Sequence, residues 1–450
     1  MERLSYFLFI LLFLAGQQAS AAGFGITEQS VSGLGNAFAG GSASAEDAST
    51  VFLNPAGMTR LQGTRFTAGL HYIMPSTKFS NQGSTINPLL GGAPLTGGNG
   101  GDAGVDALVP NLYYVRDINE RWKFGLGIGA PFGLSSSYDD DWVGRYHALD
   151  SELKTININP ALAVKLNDQV SLGFGISAMY SEARLTNAVD FSAGCLGSAP
   201  LATCGALGLT TPQGTDGEAE VQGDDWGFGF NIGLLWQATD ATRIGAHYRS
   251  RTKHTLEGDA DFVYPSAGAV TFATGAGLID GADVTADLTT PDSFSVSIYH
   301  DINPQWAVMA DYTWTNWSVF DELRIEFDTG ASDSVVTTDW NDTDRFSVGL
   351  NYRHNSAWLW RAGVAYDEGA TPDAARRTPR VPDEDRTWLA VGFNYQPSDN
   401  MNIDVGYTHL WVDDARVQKQ AVGEDAGRGA LRGEWDADVD IISAQVNWQF

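Results

Sequence analysis

Seven histidines, His71, His147, His247, His254, His300, His354 and His409, are the residues of this chain best suited to moving a proton or holding a metal. None sits in an HExxH or GxSxG setting, and no GxxxxGK[ST] loop is present, so neither zinc-assisted hydrolysis, nor a nucleophile elbow, nor phosphate cradling is predicted. The run Asp139-Asp140-Asp141 offers oxygen ligands without the spacing of an EF-hand loop, and it reads as a solvated loop. Cys195 and Cys204 share one Gly/Ala-rich segment with no histidine nearby, too few ligands for a zinc site. In an exported chain they predict a small loop-closing disulfide. Lys and Arg number 27 against 55 Asp and Glu, a balance of −28 that repels nucleic acid, because phosphate binding needs a cationic footprint. The chemistry points to neither an enzyme nor a cofactor or metal protein.

The elements that carry these residues start with Met1 to Ala21, where Arg3, an apolar run from Tyr6 to Ala15 and Ala19-Ser20-Ala21 predict a secretory signal and a mature chain from Ala22. Beyond it no apolar stretch approaches the ~20 residues of a membrane helix. From Thr64 onward apolar and polar residues alternate, about ten at a time, with the period of a strand. Ile156, Ile158, Pro160, Leu162, Val164 and Leu166 form one row against Thr155, Asn157, Asn159, Ala161, Ala163 and Lys165. A polar inner face opposite an apolar outer one suits a lumen surrounded by lipid. Aromatics such as Trp306, Trp314, Trp358, Tyr366 and Trp411 fall near the ends of such rows, where interfacial girdles belong.

Short turns at 117–119, 167–169, 238–241, 301–304, 354–356 and 397–400 alternate with long loops at 76–104, 138–151, 188–222, 258–284, 320–335, 368–385 and 414–431. That asymmetry predicts a fourteen-stranded antiparallel barrel of the outer membrane, all-β, with tight periplasmic turns and longer extracellular loops. The last strand, Ile442, Ala444, Val446, Trp448, Phe450, ends on an aromatic residue, as the segments read by barrel-assembly machinery do. Residues 22–63 are dominated by small side chains, too few to form a core alone, and predict a hatch packed inside the barrel of residues 64–450.

Asn54-Pro55-Ala56, Trp226 to Asn231, Thr290 to Phe294 and Val381 to Trp388 resemble the FadL family, outer-membrane transporters for long-chain fatty acids with relatives that import aromatic hydrocarbons. The resemblance runs nearly from Ala22 to Phe450. It implies passive transport of a hydrophobic small molecule, captured between the third and fourth long loops, passed to a lumen pocket and released sideways at a kinked third strand into outer-membrane lipid and lipopolysaccharide. A neutral hydrocarbon of the toluene or xylene type is the alternative ligand, and a loop-mediated adhesin or structural barrel, monomeric like the transporter, is the alternative role.

On that resemblance, the capture surface includes Leu196 and Leu201 of loop three and Phe262 and Phe272 of loop four, and Phe24 is the hatch aromatic that reaches the pocket. Gly125 to Leu134 places Pro131, Phe132 and Gly133 where strand three should be regular. Proline cannot donate to the ladder and glycine weakens it, so a bend and a gap are predicted there, with Asn54, Pro55 and Ala56 lying against the gap. A fatty-acid carboxylate in an apolar pocket needs a cation. Arg184 and Arg324 align near cationic positions of fatty-acid transporters, whereas Asn187 stands where one relative has a binding arginine.

Overall fold

The computed structural model describes residues 23–214 and 216–450; the predicted signal segment lies outside these residues. Fourteen antiparallel strands close into a barrel. In chain order they are β1 (Arg65–Asn81), β2 (Ala107–Asp117), β3 (Trp122–Gly129 with Gly133–Ser137), β4 (Asp150–Lys165), β5 (Val170–Asp190), β6 (Asp216–Gln237) and β7 (Thr242–Arg249 with Thr252–Val263). There follow β8 (Ala282–Thr290 with Ser293–Asp301), β9 (Trp306–Thr315), β10 (Thr343–Arg353), β11 (Trp358–Asp367), β12 (Arg386–Ser398), β13 (Met401–Val412) and β14 (Arg432–Gln449). The first and last strands pair from Arg65↔Gln449 to Asn81↔Gly433, which removes the free edges of the sheet.

The alternation in the sequence is the in-out alternation of the wall. On β4, Ser151, Thr155, Asn157 and Asn159 are buried inside while Ile158 and Leu162 are exposed outside. Exposed Trp122, Trp236, Trp360 and Trp448 lie toward the short-turn end of their strands, and Tyr72, Trp226, Tyr366, Tyr407 and Trp411 toward the long-loop end, as two interfacial belts. All six predicted turns are tight reversals. The strands run further than the predicted loop starts: β1 reaches Asn81, β6 begins at Asp216 and β7 reaches Val263, because cross-strand pairing continues above the lipid-facing apolar rows. No helix among the described residues is long and apolar enough to cross a membrane.

Inside the barrel lie three one-turn helices, α1 (Val31–Leu34), α2 (Gly41–Ser44) and α3 (Thr50–Leu53), and a 3-10 turn at Pro55–Arg60. Each is a single turn, and hatch and wall satisfy polar groups of one another. Asn36 Nδ2 donates to Leu350 O (3.1 Å) and Ala362 O (3.2 Å), and Arg243 Nε donates to Ala43 O (3.1 Å). Glycines on the inner face of the wall make room. A Cβ at Gly233 would lie 1.9 Å from Asn54 Oδ1, and one at Gly245 would lie 1.8 Å from Ser42 O.

Candidate functional site: an apolar lumen pocket beside a break in strand three

Strand β3 carries the first element of the site. Its lower half pairs on both sides, with β2 up to Leu112↔Ile128 and with β4 up to Gly129↔Asn157. After Ala130-Pro131-Phe132 its upper half, Gly133–Ser137, pairs only with β4. Contact with the preceding chain resumes at Ser137 N to Ala103 O (3.1 Å) and the Gly104–Ser136 bridge. Between these points the wall has no ladder on the β2 side. The hatch takes up the free groups from within: Ile26 N donates to Pro131 O (2.8 Å), Gly133 N to Phe24 O (2.8 Å), and Gln29 Nε2 to Ala130 O (2.7 Å).

Phe24, placed by this pairing, is buried with its ring 4.7 Å from Trp317, 5.3 Å from Phe320, 5.7 Å from Trp340 and 6.1 Å from Phe132. It lines a cavity of about 80 Å³ whose walls include Leu153, Leu256, Leu288, Val381 and Trp340. The three leucines occupy inward positions of strands whose neighbouring inward residues are polar: Ser151 and Thr155, His254, and Thr290. An apolar patch in an otherwise polar lumen is the signal by which the sequence marks this pocket.

Arg380 also lines the cavity. It comes from the loop between β11 and β12, which folds down into the lumen, and it is buried. Its guanidinium donates to Asp150 O (3.1 Å), Ser151 Oγ (3.0 Å) and Asn187 Oδ1 (3.4 Å), and it takes part in no ion pair among the described residues. Burial, together with the like charge of Arg428, pushes its pKa down from the usual arginine range. The nearby Asp150 offsets this only in part. A guanidinium still holds its proton under these conditions, so an arriving carboxylate would give it the direct ion pair it lacks.

The two arginines expected from the sequence lie elsewhere. Arg184 follows the outward parity of Ile176 and Tyr180 and pairs with Glu220 at 2.5 Å on the outer surface. Arg324 lies on an extracellular hairpin formed by Glu322–Phe327 and Ser334–Thr337 and is held by Glu322 and Asp333, each at 2.6 Å. Asn187, by contrast, reaches the site as a partner of Arg380. Sequence reasoning missed Arg380 because it stands in an aperiodic loop, although it immediately precedes the Val381-Pro382 motif.

The expectation that Asn54, Pro55 and Ala56 lie against the β3 gap is not met. Asn54 Nδ2 donates to Leu234 O of β6 (2.9 Å), and the Pro55-Ala56 backbone packs where a Cβ of Gly173 on β5 would stand. The bare inner faces of those glycines accept the turn, and Phe24 to Gln29 face the gap instead. Cys195 and Cys204 are joined by a disulfide that links helices α4 (Phe191–Ser198) and α5 (Leu201–Leu207) of loop three. These helices pack on α6 (Ala267–Gly275) of loop four, with Leu196 and Phe272 partly buried at the contact, while Leu201 is 67% and Val270 43% exposed. Phe262 points inward from β7 against Ile325 and Val284.

The sequence profile of the family described as outer membrane protein transport protein (OMPP1/FadL/TodX) matches residues 12–450. The chain belongs to this family. It is 31% identical over 450 residues to the long-chain fatty acid transport protein of Escherichia coli O6:H1, covering 97% of this chain and 96% of that one. It is 31% identical to outer membrane protein P1 of Haemophilus influenzae, with 89% and 88% covered. Among solved structures, a Pseudomonas aeruginosa FadL homologue superposes with a TM-score of 0.87 at 27% identity, over 95% of this chain and all (100%) of that chain. The Ralstonia pickettii toluene transporter TbuX shares the fold, with a TM-score of 0.63 at 23% identity over 91% and 95% of the two chains. This FadL-family protein is therefore an outer-membrane transport channel for hydrophobic compounds and not an enzyme.

Proposed function

We propose that the transported compound is a long-chain fatty acid, held with its carboxylate at Arg380 and its chain in the apolar cavity around Phe24, and released sideways between β2 and β3. The observation that carries this reading is a buried guanidinium with no carboxylate in direct ion-pair contact, among the described residues, at the edge of a leucine- and aromatic-lined cavity. A neutral hydrocarbon would leave that guanidinium without a direct ion pair, whereas a carboxylate supplies one. The relatives named long-chain fatty acid transport proteins are 30–31% identical to this chain; the toluene transporters, at 23% or less, share the fold alone.

On this reading the exposed apolar residues Leu201 and Val270 take up the ligand outside, over the contact of loops three and four. The cavity of about 80 Å³ is smaller than the roughly 150 Å³ of an apolar cavity that admits benzene. Ligand entry therefore requires the rings around Phe24 to shift, and because Phe24 O and Ile26 N are bonded to the β3 break, that shift reaches the gap. Movement follows the ligand gradient. A single closed barrel is the working unit, with lipopolysaccharide as its outer neighbour and the row ending at Phe450 as its contact with the assembly machinery.

The test is uptake of labelled oleate and toluene by cells lacking their own transporter. Arg380→Gln should lower oleate uptake roughly tenfold or more, the scale of a lost charged hydrogen bond, and leave toluene entry unchanged. Entry of toluene alone in the unmodified protein reassigns the ligand to neutral hydrocarbons. An unchanged oleate rate in Arg380→Gln, with the barrel assembled, overturns the carboxylate site.

A further inference from the structure

Below the Phe24 cavity is a second one, of about 190 Å³, lined by both the hatch and the wall. The two meet across rings: Phe24 lines the first, Phe132 and Trp317 the second, and Phe24 packs edge-on against both. Pro131 of the β3 break also lines the lower chamber, so it opens toward the same gap. Its character is different, for two arginines face it.

Arg249 and Arg345 are each at least nine-tenths buried, at 9% and 7% exposure. Neither takes part in an ion pair among the described residues. Arg249 donates to Ser177 Oγ (3.3 Å) and to the hatch carbonyl Phe52 O (3.0 Å), with its guanidinium 3.9 Å from the Phe52 ring centre. Arg345 donates Nη2 to another hatch carbonyl, Ala37 O (2.9 Å), and its buried Nε has no hydrogen-bond partner. Two acids also line the chamber, and both lie near Arg345, Asp311 within reach of its charge and Asp367 opposite it across the strand pair, but neither makes a direct ion pair with either arginine among the described residues. Asp311 accepts the hydroxyls of Ser297 and Thr313, and Asp367 lies 3.9 Å from Arg386.

Two buried cations bound to neutral carbonyls, one of them with a spare N–H, make a site for an anion. Hydrogen bonds from guanidinium to carboxylate are roughly twice as strong as those between neutral groups. We infer that this chamber is a second carboxylate site, at which Arg345 and Arg249 receive the ligand's head group after Arg380 and, in doing so, let go of the hatch carbonyls of Ala37 and Phe52. The hatch is then loosened by the ligand that needs it moved, while the apolar chain is directed past Pro131 and Phe132 to the gap. This rests on the carboxylate reading of the transported compound, but it invokes different residues.

Calorimetric titration of the purified barrel with octanoate, and with octanol as the uncharged control, tests it. The unmodified protein should bind two octanoates and one octanol. Arg249→Gln/Arg345→Gln should bind one octanoate, and Arg249→Lys/Arg345→Lys should recover the second more weakly. Arg380→Gln should lose the upper octanoate and keep the lower. If Arg380→Gln keeps both sites while the double glutamine variant loses one, the upper assignment fails and the chamber stands. A single octanoate in the unmodified protein, abolished by Arg380→Gln alone, overturns the chamber, as does an equal number of octanol and octanoate sites; neither reading needs the double variant to assemble.

Discussion

A side chain's direction decides what its charge can do. Arg184 has the outward parity of Tyr180, a fact already visible in the alternation, and its alignment with a cation in relatives does not turn it inward. Arg184→Ala should therefore leave oleate uptake within about twofold of the unmodified rate, as expected for a solvent-facing ion pair worth ~1 kcal/mol or less; a loss comparable with that of Arg380→Gln would contradict the placement. Phe24 was singled out through the family resemblance, which puts the start of the mature chain beside the pocket, and not through any period in the hatch. Arg380 was not, because a loop has no period from which to read direction. Glu28 gives the hatch a pH dependence. It is buried, its Oε2 has no hydrogen-bond partner, and burial pushes its carboxyl up to about 7, partly offset by a backbone hydrogen bond and Arg345. A carboxyl raised on folding stabilises the docked state fully below its unfolded value of 4.5, and that stability is lost as pH rises through about 7. Hydrogen exchange of residues 31–53, corrected for intrinsic rates, should show docking weakened at pH 8 relative to pH 5, by on the order of 3 kcal/mol at most. Glu28→Gln should flatten the profile; an unchanged slope in that variant would assign it to another group.

At the level of elements, alternation located the strands and the six tight turns, since a period of two survives in any wall with one polar and one apolar face. It failed above the lipid-facing rows, where outward positions such as Asp259 and Asp261 turn polar and the ladders continue unannounced. The loop helices α4, α5 and α6 were missed for a related reason: each has only two or three turns, so a helical period has no room to establish itself. The break in β3 was legible because proline removes a ladder donor wherever it stands. Its consequence can be tested by restoring the strand. Pro131→Thr/Gly133→Val supplies an amide and a β-branched residue at the break, and if the exit lies there oleate uptake should fall at least tenfold, by blocking release, while octanoate binding at Arg380 is kept. Normal uptake would place the exit elsewhere. The disulfide acts on a different element. Closing the short loop from Cys195 to Cys204 restricts the unfolded ensemble by roughly 2–3 kcal/mol. Cys195→Ala/Cys204→Ala should thus make loop three cleavable by added protease on intact cells without altering the heat-modifiable mobility of the barrel.

Across the whole molecule, the hatch and the wall specify each other. The hatch cannot form a core from its own small residues, and the wall cannot fill its lumen with its own side chains where Gly173, Gly233, Gly245 and Gly363 face inward. The glycines that would weaken a free strand are stabilised here by the backbone they admit: Ala56 N and Pro55 at Gly173, Asn54 at Gly233, Ser42 at Gly245, Asn36 at Gly363. This contact explains why residues 54–56 lie against β5 and β6. Their seat is defined by missing side chains on strands far along the chain, so a motif read in isolation does not reveal it. Adding side chains to the seat should then displace the hatch while leaving the barrel closed, because the ladders and the lipid-facing rows are untouched. Gly233→Val puts branched carbon where Asn54 Oδ1 stands, an overpacking that typically costs about 1–3 kcal/mol, besides the bond from Asn54 to Leu234 O. Gly233→Val/Gly245→Val should double that load, raising single-channel conductance in planar bilayers and sensitivity to large hydrophilic antibiotics, with heat-modifiable mobility unchanged. If conductance stays at the level of the unmodified protein in an assembled barrel, the hatch is held by contacts other than this glycine seat.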